Sequence, residues 1–106
     1  MRFSCPYLGG EVELNDERKR HIGERHPELL PKIRDRIRAT LAEPDEVRRS
    51  ARSGNARLLS RWFDDIMGGK HVVVVVVSEA RPRRLWVITA YVVSKLWQGA
   101  VEWTRN

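Results

Sequence analysis

Six consecutive valines, Val72–Val77, bracketed by His71 and Ser78, constrain this chain more than any other stretch. Valine is branched at Cβ, stiff at χ1 and suited to a pleated surface, so the run favours extended backbone. It is unbroken rather than alternating, which implies a strand covered on both faces. Gly68-Gly69 before it and Ala80-Arg81-Pro82-Arg83 after it are turn signals that limit its length. The run is much too short to cross a bilayer as a helix. It is expected to be the central strand of a sheet, with other segments packed on it or beside it.

Upstream, Glu11–Leu14 alternates and reads as a short edge strand. Asn15 is a helix N-cap, with Asp16 and Glu17 where the helix dipole favours acids, so a helix is expected over Asp16–Arg25. His26-Pro27 ends it, because proline disfavours helical geometry at the preceding residue. After Pro31, the residues Ile33, Ile37 and Leu41 recur at helical spacing, with Leu30 a turn earlier, and Pro44 closes this second helix. A strand is expected near Glu46–Ser50, a hairpin turn at Ser53-Gly54-Asn55, and a strand over Ala56–Phe63. On that strand Arg57, Leu59, Arg61 and Phe63 share one side, and Leu58, Ser60 and Trp62 the other. Leu85–Val92 forms the strand after the valines, with Trp86, Ile88, Ala90 and Val92 alternating against Leu85, Val87, Thr89 and Tyr91. The tail to Trp103 reads as a last strand or a helix. Helices followed by hairpin-linked strands imply an α+β fold, N-terminal helices packed on an antiparallel sheet. The core is expected to hold Ile22, Leu30, Ile33, Ile37, Leu41, Trp62, Val73, Val75, Val77, Trp86 and Ile88.

With 106 residues the chain suits one domain. Its 42% hydrophobic and 32% charged residues are an ordinary globular balance. The excess of 20 Lys and Arg over 14 Asp and Glu gives a net charge of +6. Most of it is arginine, whose planar fork suits phosphate oxygens, so nucleic acid heads the possible partners. Codon usage in a GC-rich genome is an equal explanation until the arginines are placed. Cys5 is the only cysteine, which excludes an internal disulfide and a thiolate metal cluster. With no signal-like apolar segment, the expected compartment is the cytoplasm, without membrane contact.

The chain carries no Gly-rich phosphate loop, serine elbow or metal motif, and His21 and His26 lie five apart, pointing away from each other on a continuous helix. No cofactor or metal is therefore expected. Histidine moves protons near neutral pH, and arginine stabilises charge developing on phosphate. Those are the parts a metal-independent ribonuclease uses, since the ribose 2′-hydroxyl is its own nucleophile. Each part also has a plain structural use: His26 as a helix cap, His71 as a strand residue, Arg57 and Arg61 as a solvated strand side.

The segment Leu14–Leu30, with His21-Ile22 and His26-Pro27-Glu28, then Pro44-Asp45, the Arg57–Trp62 strand, the valines and Thr89-Ala90-Tyr91, carries a resemblance. In order and spacing these residues resemble the phage-associated branch of the barnase–EndoU–colicin–RelE group of nuclease-like domains. The resemblance covers roughly Glu11 to Trp103. It implies helices before a curved antiparallel sheet and metal-free, toxin-like cleavage of RNA, with His21, His26, Arg61, Thr89 and Tyr91 lining one concave face. It further implies acid–base roles for His21 and His26, a phosphate clamp at Arg61 and hydrogen-bonding support from Thr89 and Tyr91, with Glu28 orienting a histidine. Arg25, Arg57 and Lys70 are further candidates for contacting nucleic acid. A small acidic antitoxin or immunity protein is the expected protein partner. The competing expectation is a RelE-like module that binds RNA or protein without cutting.

Overall fold

The computed structural model describes residues 1–105. In chain order the elements are β1 (Arg2–Cys5), β2 (Gly10–Glu13), α1 (Asp16–Arg25), a 3-10 turn (Pro27–Leu29), α2 (Ile33–Ala42), β3 (Glu46–Arg49), β4 (Ala56–Phe63), β5 (Lys70–Ala80), β6 (Arg83–Val93) and β7 (Ala100–Thr104). The strands form one seven-stranded sheet in the order β1-β2-β6-β5-β4-β3-β7, placing the valine strand in the middle. The fold is α+β. Its sheet is mixed rather than antiparallel, because β2 runs parallel to β6 through the pair Glu13 and Trp86. Two strands also precede the helices. Glu11–Leu14 accordingly contributes to an interior strand, flanked by β1 and β6, and not to an edge.

Local chemistry sets the helix boundaries. The Asn15 side chain accepts a hydrogen bond from the Arg18 N–H at 2.7 Å, satisfying one of the orphan donors of α1. His26 N–H still donates to Ile22 O at 2.8 Å, and Pro27 then turns the chain into the 3-10 segment. On α2 the stripe Ile33, Ile37 and Leu41 is buried, with Thr40 Oγ1 donating back to Arg36 O at 2.7 Å. Full burial of each such side chain contributes about 1.5–3 kcal/mol. Leu30 departs from the expected core. It is 51% exposed, its side chain resting over Gly23.

The helices cover one face of the sheet. There Val72, Val74 and Val76 of β5 lie in one buried cluster with Val47, Leu59, Leu85, Val87, Ala90 and the α2 stripe. The expected core had the opposite phase on β4 and β5. Trp62 is 42% exposed and Val75 only half-buried, whereas Val73 and Val77 are buried on the far face. An all-valine strand carries no alternation by which to choose its inner side.

A β-bulge corrects the reading of β6. Val75 pairs with Thr89 but Val76 pairs with Val87, so Ile88 is an extra residue without an opposite number. Leu85 and Val87 before it, and Ala90 and Val92 after it, therefore share the helix-covered side, while Trp86, Thr89 and Tyr91 share the other. Arg18 of α1 donates through Nη1 to the Ile88 carbonyl at 3.0 Å, which satisfies a group the bulge frees.

Candidate functional site

The far face of the sheet is covered only in part, by the connection from β6 to β7. Between that connection and the sheet lies a cleft of about 390 Å³. Leu58, Ser60 and Val73 line it from the central strands, and Lys95, Leu96, Trp97 and Gln98 from the connection. Alternation decides the floor: Ser60 pairs with Val73 and Val73 with Tyr91, so three adjacent strands present side chains on the same surface. Gly99, at φ +77°, closes the connection where a Cβ would strike the Arg49 carbonyl, so only glycine fits this approach.

His26 reaches the cleft from the end of α1. Beyond the single β2 pairing, β6 has α1 and the 3-10 turn beside it, and the chain reversal at Pro27 brings the imidazole to Tyr91. The two ring centroids are 6.2 Å apart. Tyr91 Oη donates to Gln98 Oε1 at 3.2 Å, and burial pushes the phenol above its ordinary pKa, so at neutral pH it is a proton-bearing donor. Cationic groups are Arg48 and Lys95. Arg48 Nε lies 2.8 Å from Glu46 Oε2, both side chains being largely buried, while Lys95 is exposed. His71 and Trp62 continue the same surface toward the far end of β4 and β5, their rings meeting edge to face at 4.9 Å. His71 Nδ1 is the one buried side-chain nitrogen or oxygen among the described residues without a hydrogen-bond partner.

The residues expected from sequence divide. His26 and Tyr91 come together, and Thr89 stands on the same side of β6 two residues from Tyr91. His21 does not join them; it is exposed on α1 beside a separate hollow lined by Asn15, Glu17, Arg18 and Arg20. Arg61 points to the other side of the sheet, since its cross-strand partner is Val72, and its Nη1 donates to Glu43 O at 2.7 Å. The expected single concave face with His21, His26 and Arg61 is thus not formed. Glu28 is exposed on the 3-10 turn, and Arg25 is exposed in the last turn of α1. Lys70 is folded back on the carbonyls of Met67 and Gly69, each at 3.3 Å.

Arg57 has a structural engagement. Its Nε lies 2.9 Å from Glu102 Oε1, and Glu102 also holds Arg49 at 3.3 Å and accepts a short hydrogen bond from the Tyr7 hydroxyl. Burial and then the Glu102 carboxylate push the Tyr7 phenol up to about 12. The same hydrogen bond, with the two arginines, holds Glu102 below the usual carboxylate range. Pro44-Asp45 likewise serves as a corner between α2 and β3, where the Asp45 carboxylate accepts from Trp62 N–H at 2.7 Å.

Sequence reasoning missed Arg48, Ser60, Lys95, Trp97 and Gln98. The signal for Ser60 was its side of β4, opposite Leu59 and Arg61; the connection residues belong to no periodic element and gave no such signal. Among the described residues no group of three or more His, Cys, Asp or Glu is placed to hold a metal ion, and no helix is long and apolar enough to cross a membrane. Comparison of the chain with protein-family models, with curated proteins and with solved structures gives no match.

Proposed function

We propose that the protein is an endoribonuclease of the RelE and barnase-like kind, working from the cleft on the far face of the sheet. The observation that carries this reading is the meeting of His26 and Tyr91 at a cleft that also holds Arg48 and Lys95. His26 is the acid–base group: it takes the proton of the ribose 2′-hydroxyl as that oxygen bonds to the adjacent phosphorus and the phosphorus–O5′ bond breaks, and the departing O5′ takes up a proton from water. Tyr91, kept protonated by burial, donates a hydrogen bond to the phosphate or to the departing oxygen. Lys95 and Arg48 offset the negative charge that builds on the phosphoryl oxygens, with Glu46 holding the Arg48 guanidinium in place. The sequence resemblance read in His26-Pro27-Glu28 and Thr89-Ala90-Tyr91 supports this assignment. His21 and Arg61 carry no role in it.

The reaction chemistry gives the test. Total RNA incubated with the purified protein in EDTA is expected to be cut, leaving 2′,3′-cyclic phosphate ends, because the attacking oxygen belongs to the ribose. Intact RNA, or 5′-phosphate ends from attack by water, would remove this reading. One observation favours a non-cutting RNA-binding module instead: a single histidine reaches the cleft, and its arginine is already paired with Glu46. Salt-sensitive binding of RNA without cleavage would establish that second reading.

A further inference from the structure

The indole of Trp97 is unusual in its setting. It is 73% exposed, the most exposed of the large hydrophobic side chains, yet it lies in the connection whose neighbours line the cleft. It also lines a second cavity, of about 240 Å³, together with Ser50, Ala51 and Arg52. Leu58 and Gln98 border both cavities, so the two hollows adjoin at Trp97. Each has its own cation: Lys95, with the Glu46-paired Arg48, on one side, and Arg52 on the other.

We infer that Trp97 is a stacking wall between two neighbouring nucleotide subsites, so that the substrate is single-stranded RNA whose successive bases are splayed into the two hollows. This rests on the RNA reading above. Every base has a π-face, so an exposed indole flanked by cations binds single strands with little regard to sequence. A duplex keeps its bases stacked and paired and cannot straddle the ring. An apolar lining beneath the indole gives an unstacked base a dry surface, and the cations lie where the phosphates of the same strand can reach them. In this arrangement Trp97 is a specificity-determining residue and not a catalytic one.

Fluorescence anisotropy with a labelled, 2′-O-methylated single-stranded RNA, which cannot be cleaved by its own 2′-oxygen, tests the inference. Trp97→Ala is expected to weaken binding about 5- to 150-fold, the range for losing a base–aromatic stack. Trp97→Phe should retain most of the affinity, and the slope of log affinity against log salt should be unchanged, because no phosphate contact is removed. RNA duplex should bind the wild type less tightly and respond little to Trp97→Ala. The exposure of Trp97 makes both variants compatible with folding, checked by thermal melting. Single-strand binding that is equal in wild type and Trp97→Ala overturns the inference while leaving the RNA reading intact. A loss accompanied by a shallower salt slope also overturns it, because the indole would then be acting through neighbouring cations. Absence of RNA binding by the wild type at low salt removes both.

Discussion

The two faces of β5 are built from the same residue and have different fates. Val72, Val74 and Val76 are sealed beneath the helices and contribute only to stability. Val73, Val75 and Val77 face the other way, where Val73 lines the cleft under a short connection and Val75 is left partly exposed. Residue type therefore does not separate core from site on this strand. Cover does. A helix spans the sheet with a continuous apolar stripe, whereas a six-residue stretch from Ser94 to Gly99 covers only a fraction of it.

The largest test of this contrast uses the histidines. His26→Ala, at the cleft, is expected to lower RNA cleavage by about 10²–10⁴-fold, the contribution of one acid–base group. His21→Ala, on the exposed flank of α1, should leave turnover within a few-fold, measured as initial rates on one RNA substrate. Equal losses in both variants would mean that the site is not where the cleft is.

Packing provides the next test. Ile37→Ala beneath the helix-covered face is expected to cost about 2–5 kcal/mol in urea denaturation. Val75→Ala on the far face removes two carbon atoms that are partly exposed, so a smaller cost of about 1 kcal/mol is expected. A larger cost at Val75 than at Ile37 would invert the assignment of the two faces.

A smaller effect separates the cations. Lys95→Ala should flatten the dependence of log RNA affinity on log salt by about 0.7, the value of one single-strand phosphate contact. Arg61→Ala should leave that slope unchanged, because its guanidinium is on the helix-covered side and bonded to Glu43 O. The smallest effect concerns the Tyr7–Glu102 cluster. The Tyr7 pKa is raised from 10.0 to about 12 on folding, so its contribution is complete below pH 10 and is lost as pH rises toward 12. The Glu102 pKa is lowered on folding, so its contribution is present above 4.5 and fades as pH falls through the lowered value. Melting temperature against pH should therefore lose its alkaline shoulder in Tyr7→Phe.

Local features were legible in the sequence wherever one residue's chemistry sufficed. Asn15 and Pro27 fixed the ends of α1, Ser53-Gly54-Asn55 fixed the β3–β4 hairpin, and the valines fixed the central strand. Features that depend on distant partners were not. Arg2–Cys5 has no pattern of its own and becomes a strand through pairing with β2, and the parallel contact of β2 with β6 spans most of the chain. The same division runs through the site. His26 and Tyr91 could be named from short motifs, but their companions on the Lys95–Gln98 connection come from a loop without periodicity. Arg61 was grouped correctly with Leu59 on one side of β4, and only the folded sheet reveals that this side lies under the helices.

The bulge at Ile88 makes the register of β6 the feature that decides which surface Tyr91 faces. Removing that one residue would straighten the strand and leave the pairing from Thr89 onward as it is, whereas closing the bulge with the residue kept, so that Ile88 pairs with Val75, would rotate every side chain from Thr89 onward to the opposite surface. Tyr91 would turn beneath the helices and Ala90 would take its place in the cleft, leaving His26 without its aromatic neighbour. A three-base deletion at codon 88 would thus leave the lining of the cleft in place, whereas regular pairing of Ile88 would dismantle it.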